Sequence, residues 1–144
     1  MTAGLNREVR ETEGTDAGRA RFLAIALSSA LIAEAGEKWT AAPSAKGAKN
    51  PVAKAAGLTD GKQLVATNCA LCHGDGGKGD GPAGANLTPR PRNLGDKTVQ
   101  VQADGELFWK ISEGRGMMPS FKSLPEKDRW SLVHYIRSFA ASKR

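Results

Sequence analysis

Aromatic residues are scarce in this sequence: three Trp, four Phe and one Tyr make up 6% of its 144 residues. A large aromatic core is therefore excluded. With 17 glycines diluting the apolar side chains further, the small core that remains is of the kind that a bound cofactor often staples. Cysteine is scarcer still. The only two are Cys69 and Cys72, too few for the multi-bridge framework of a small secreted scaffold, so whatever they do is local. The longest uncharged apolar run, residues 22–33, would make about 18 Å of helix against the roughly 30 Å of a bilayer core. No segment alternates apolar and polar residues for a useful length, which removes the signature of a half-buried sheet, and there is no internal repeat. With 40% hydrophobic and 25% charged residues, the composition excludes a membrane bundle and argues against global disorder.

The chain carries a formal charge of +6. Residues 1–35 hold four basic and five acidic side chains, so the excess lies in the remainder. A basic surface raises encounter rates with acidic partners. It would equally suit nucleic acid or an anionic membrane, and decides little alone. The apolar run follows Arg19 and Arg21 and ends in Ala33-Glu34-Ala35, the small-x-small pattern of a signal-peptidase site. Residues 1–35 are read as an export signal, with an uncleaved anchor as the competing reading. The acidic stretch before the run is unusual for a signal; one explanation is a start codon placed too far upstream. Residues 36–57, rich in Ala, Lys and Pro, read as a linker or surface strap. The domain proper is placed at residues 58–144.

Within that domain the pattern is helical. Thr59 or Asp60 is a candidate cap for a helix running through Lys62, Leu64, Val65 and Asn68 into the cysteines. Residues 74–97 are dense in glycine and proline and read as loop. Asp104-Gly105-Glu106 opens a second helix that stops at Gly114. A last helix begins around Ser123 to Glu126, with capping-box spacing and Pro125 in the first turn. Trp130, Val133, Ile136 and Phe139 form its apolar stripe, broadened by Leu132 and Tyr135.

The strongest chemical signal is Cys69-Ala-Leu-Cys72-His73. Cys-x-x-Cys-His is the attachment signature of c-type haem. Two thiols one helical turn apart reach the two vinyl groups of a porphyrin, and the next residue, His73, presents its imidazole to the iron. A zinc site needs two further ligands, yet the only other histidine is His134 and no third cysteine exists. A thioredoxin-like redox pair needs a βαβ context, where this sequence has loops. The motif predicts one covalent haem c. A haem held by one histidine alone is open to ligands. Closing it with a methionine thioether favours ferrous iron and gives an electron-transfer site. Met117 and Met118 are the candidates, in a loop bounded by Gly114, Gly116 and Pro119, away from any apolar periodicity that would make them core filler.

From Leu58 to Phe139 the chain resembles a class I (monohaem) c-type cytochrome, a small bacterial cytochrome c domain. The matching pieces are Gly61-Lys-Gln-Leu-Val, Cys69 to Gly74, Gly81-Pro82-Ala83, Met118-Pro119 and Trp130 to Ile136. The resemblance implies an all-α cytochrome c fold, three to four short helices with long loops wrapped around one haem. It implies that Met118, directly before Pro119, is the second iron ligand beside His73. It implies that the Pro82 carbonyl accepts the hydrogen bond of the histidine's other ring nitrogen, and that Gly61 lets the first and last helices cross closely, against Leu132 and Tyr135. Pro125 departs from the pattern, standing where related chains often carry a capping Ser or Thr. That shifts a helix boundary and leaves the haem site untouched. Arg90 and Arg92 are candidate partners for haem propionates, with Arg92 preferred, and Trp109 either bonds a propionate or covers the haem edge. His134, in the last helix, reads as a surface or packing residue and not as a ligand.

The expected function is a single-electron carrier in the periplasm, not an enzyme, monomeric, with no nucleic-acid partner. Membrane association is expected only through a partner or an uncleaved signal. A basic rim at Lys62, Lys78, Lys110 and Lys122 would orient a redox protein with an acidic docking surface. The alternatives are the haem-bearing subunit through which electrons enter a larger oxidoreductase complex, and an open-site haem sensor.

Overall fold

In the computed structural model, residues 38–140 are described. The export-signal reading falls outside them. The described residues form five helical segments: α1 (Lys54–Asn68), α2 (Ala70–His73), α3 (Lys97–Gln100), α4 (Asp104–Glu113) and α5 (Glu126–Ser138). No β-strand occurs among them, and none of their helices is long and apolar enough to cross a membrane. The protein is all-α.

The crossing of α1 and α5 organises the core. Gly57 and Gly61 lie on the buried side of α1. A Cβ on Gly61 would run into the Ser131 carbonyl oxygen and sit 2.8 Å from Tyr135 Cβ. Only hydrogen at this position allows two helix backbones to approach so closely. Tyr135 is thus the neighbour expected, and Ser131 takes the place assigned to Leu132. Around the crossing, Val65, Leu107, Ile111, Trp130, Leu132, Val133, Ile136 and Phe139 make one buried cluster. Phe108 and Trp130 stack with centroids 4.0 Å apart, a contact worth about 0.5–1.5 kcal/mol beyond its area.

Three local features differ from expectation. Helix α1 begins at Lys54, not at a Thr59 or Asp60 cap. Its N-cap is Ala53, with no side-chain cap bond, and Thr59 Oγ1 instead donates back to Ala55 O at 3.3 Å. The good helix formers Lys54, Ala55 and Ala56 extend the helix upstream. Second, α5 lacks the Ser123–Glu126 capping box. Pro125 is its N-cap, and the Glu126 carboxylate accepts from Trp130 Nε1 at 3.3 Å. Third, the segment read as continuous loop contains a short 3-10 turn at Gly84–Asn86 and runs directly into α3. Helix α4 opens at Asp104 as expected, and Ala103 N donates to Glu106 Oε2 at 2.7 Å.

Residues 38–53 are held by specific bonds to the helices. Asn50 Nδ2 donates to Trp130 O at 3.0 Å, and Asn50 Oδ1 accepts from Val52 N at 3.0 Å. The ring of His134 meets Val52 O through Nε2 at 2.8 Å. The 3-10 turn Pro43–Gly47 packs where Gly105 of α4 leaves room for the Ala45 carbonyl. Ala41 is 5% exposed.

Candidate haem site

The site is built where α1 ends. Cys69 N still bonds to Val65 O at 2.9 Å, but Cys69 has turned to φ −120°. The single turn of α2 follows, with His73 N bonded to Cys69 O at 2.8 Å. Gly74, at φ +74°, ends it. Both thiols are free and half-buried, while Leu71 between them is 64% exposed. Burial, reinforced by the neighbouring Cys72, pushes the Cys69 thiol up to about 11. Burial lowers the His73 pKa, opposed by its backbone hydrogen bond, so the neutral imidazole is favoured.

The backbone partner of His73 is not Pro82. His73 Nδ1 lies 3.1 Å from the carbonyl oxygen of Arg92, and Pro82 is exposed. The loop is folded to deliver that carbonyl: Gly79 N bonds to His73 O at 2.8 Å and Leu94 N to Gly77 O at 2.7 Å. Against a carbonyl, Nδ1 is the donor, which leaves the Nε2 lone pair free for a metal. A carbonyl can come from any residue type, so nothing in the side-chain pattern marked Arg92 for this role. Its guanidinium, named for a propionate, is exposed, as is that of Arg90; Trp109 is half-buried.

The methionine loop follows α4, which ends at Gly114 with φ +69°. A Cβ there would press on the Pro119 backbone at 2.5 Å. Arg115 N bonds to Met118 O at 2.9 Å and Met118 N to Arg115 O at 3.0 Å. This turn separates the two candidates: Met117 is 71% exposed, whereas Met118 packs against the core. Leu64, Leu94, Phe108, Phe121 and Cys69 share that half-buried border. A neutral imidazole and two neighbouring thiols not joined in a disulfide form a donor set that fits a covalently attached iron porphyrin.

Of the four lysines of the expected rim, two are engaged. Lys122 pairs with Glu113 at 2.7 Å. Lys110 donates to Gln102 Oε1 and lies 5.4 Å from the Trp39 ring centroid. Burial lowers the Lys110 pKa, opposed by Glu106 and reinforced by Lys38, Arg115 and Arg92. Lys62 and Lys78 are exposed.

A helical fold with this signature turn defines a c-type cytochrome domain. Residues 56–136, more than half of the chain, match the family model described as cytochrome c oxidase, cbb3-type, subunit III, and the chain belongs to that family. It is similar to the Cbb3-type cytochrome c oxidase subunit FixP of Bradyrhizobium diazoefficiens, at 33% identity over 96 residues. That match covers 65% of this chain and 31% of FixP, so the chain spans under a third of that curated relative's length. Among solved structures it resembles the Kuenenia stuttgartiensis reducing HAO-like protein complex Kustc0457/Kustc0458. The TM-score is 0.51 and the identity 31%, covering 59% of this chain and 44% of the other. The chain is thus a haem c protein of electron transfer, its iron porphyrin covalently bound.

Proposed function

We propose that the protein carries single electrons on one haem c, attached by thioethers at Cys69 and Cys72 and ligated axially by His73 and Met118, on the periplasmic side of the membrane. The observation that carries this reading is the pairing of His73 Nδ1 with Arg92 O. It fixes the ring through Nδ1 and leaves Nε2 available to a metal, beside two cysteines that are not joined in a disulfide. When bound, the haem supplies a one-electron ferric/ferrous couple. The chain would hold it in place, keep His73 neutral by burial and oriented by the Arg92 carbonyl, and cover its face with apolar side chains. Met118, packed inward from its turn, would supply the second iron ligand, and Met117 stays in solvent.

A second reading has its own support. Both relatives are parts of larger redox assemblies by name, so electrons would pass to a fixed partner and the domain would serve as a subunit of that complex. In either case the protein is a carrier and not itself an enzyme. An acidic partner would meet the exposed cations near the haem, and its binding would weaken with salt.

The test is spectroscopic. Ferric wild-type protein should show the weak charge-transfer band of methionine-bound haem, Met118→Ala should lose it and fall in potential, and Met117→Ala should keep both. Loss of the band in Met117→Ala alone would reverse the ligand assignment. Ready binding of carbon monoxide by native ferrous protein would refute the closed carrier in favour of an open-site sensor.

A further inference from the structure

The turn that presents Met118 is fastened at both of its feet. On the α4 side stands Ser112, only 4% exposed, whose Oγ donates to Phe108 O at 2.8 Å. Its carbonyl oxygen accepts from Ser120 Oγ at 2.6 Å, which ties the residue two positions after Met118 to the end of the preceding helix. Phe121 N adds a bond to Ile111 O at 3.1 Å. From α5, Arg129 spans the gap. One guanidinium nitrogen donates to Ser112 Oγ, and Nε donates to Leu124 O at 3.2 Å, beyond the turn. The same guanidinium lies 4.8 Å over the Phe108 ring, and that ring stacks on Trp130. Arg129 therefore bonds both to the helix before the methionine turn and to the segment after it.

We infer that Arg129, acting with Ser112 and Ser120, is a positioning residue: it clamps the two feet of the 114–120 turn and so sets how firmly Met118 holds the iron. This rests on the reading of Met118 as the axial ligand. For an outside ligand to take that position, Met118 must withdraw, and a turn pinned at both ends can only withdraw by straining or releasing these bonds. A population held closed in this way shows a reduced apparent affinity for any ligand that needs it open. The bonds from the guanidinium are charge-assisted and half-buried, the stronger class of hydrogen bond.

The experiment titrates imidazole into the haem-loaded ferric full chain and follows loss of the methionine charge-transfer band, with a thermal midpoint measured on each variant. Arg129→Gln should bind imidazole about tenfold more tightly than wild type, equivalent to about 1.4 kcal/mol. Ser120→Ala, which removes the bond to Ser112 O and the longer one from Lys122 N at an exposed position and leaves the core alone, should show a rise of roughly fivefold, or about 1 kcal/mol. Arg137→Gln is the comparison. Arg137 also pins helices, through Asp104 and the Gln100 carbonyl, but touches neither foot of the turn. It should lower the thermal midpoint and leave imidazole affinity at the wild-type value. Equal rises in Arg129→Gln and Arg137→Gln would reduce the effect to general stability and overturn the inference, as would unchanged affinity in both Arg129→Gln and Ser120→Ala. A wild type that lacks the band and binds imidazole as tightly as Met118→Ala would overturn the ligand reading itself.

Discussion

Replacing Gly61 with alanine tests whether the α1–α5 crossing is as close as the structure shows. The added methyl would meet the Ser131 carbonyl oxygen, with Tyr135 Cβ at 2.8 Å and Ser131 C at 3.0 Å. None of these is the end of a flexible side chain, so the two helices must separate. Two effects oppose each other. Alanine in a helix interior gains about 1 kcal/mol over glycine. Overpacking a close-packed core costs about 1–3 kcal/mol, and here it sits at the top of that range because backbone has to move, loosening Val65, Leu132 and Val133 together. The net expectation is a loss of roughly 1–2 kcal/mol, or a fall of about 5–15 °C in the thermal midpoint for a domain of this size. Circular dichroism on haem-loaded protein measures it, since a covalent cofactor stays with the chain through unfolding. Gly47→Ala is the reference: a Cβ there meets nothing within 4 Å, and the change should stay within about 0.5 kcal/mol. A Gly61→Ala midpoint at or above wild type would refute backbone contact at the crossing.

Ser131→Ala addresses a buried hydroxyl: Ser131 is fully buried and its Oγ has no hydrogen-bond partner. An unpaired buried hydroxyl costs stability, so its removal should leave the denaturant midpoint unchanged or raise it by up to about 1 kcal/mol of stability; a clear loss would mean that the hydroxyl is paired. Asn50→Ala should cost about 1–2 kcal/mol through its two lost bonds and speed amide exchange at Val52. Wild-type stability in that variant would show that residues 38–53 are a passive linker.

Much of the site was legible before the fold because it is local. The spacing from Cys69 to His73 states its own geometry, one helical turn followed by a candidate ligand, and the glycines and proline around Met118 mark a turn at the end of a helix. The long-range contacts were not legible in the same way. In the structure His73 meets the carbonyl of Arg92, a residue 19 positions later, and a carbonyl leaves no trace in residue type, so the sequence pointed to Pro82 through the resemblance alone. The start of α1 was misplaced because Thr59 and Asp60 look like caps, while three good helix formers upstream carry the helix past them. Residues 38–53 read as strap from composition. That they are bonded down depends on Asn50 reaching Trp130 and His134 reaching Val52, across 80 and 82 positions. Met117 and Met118 are equivalent as residue types; the backbone pairing of Arg115 with Met118 turns one outward and the other in.

The most direct test of the account is the mass of the denatured full chain after expression in a host that attaches haem c. The account predicts the polypeptide plus one haem, retained after acid and solvent, with the added mass on the proteolytic fragment containing Cys69 and Cys72 and absent when both are changed to serine. A chain that carries no haem mass in that host, with Cys69 and Cys72 recovered as free thiols or as a disulfide, would contradict it.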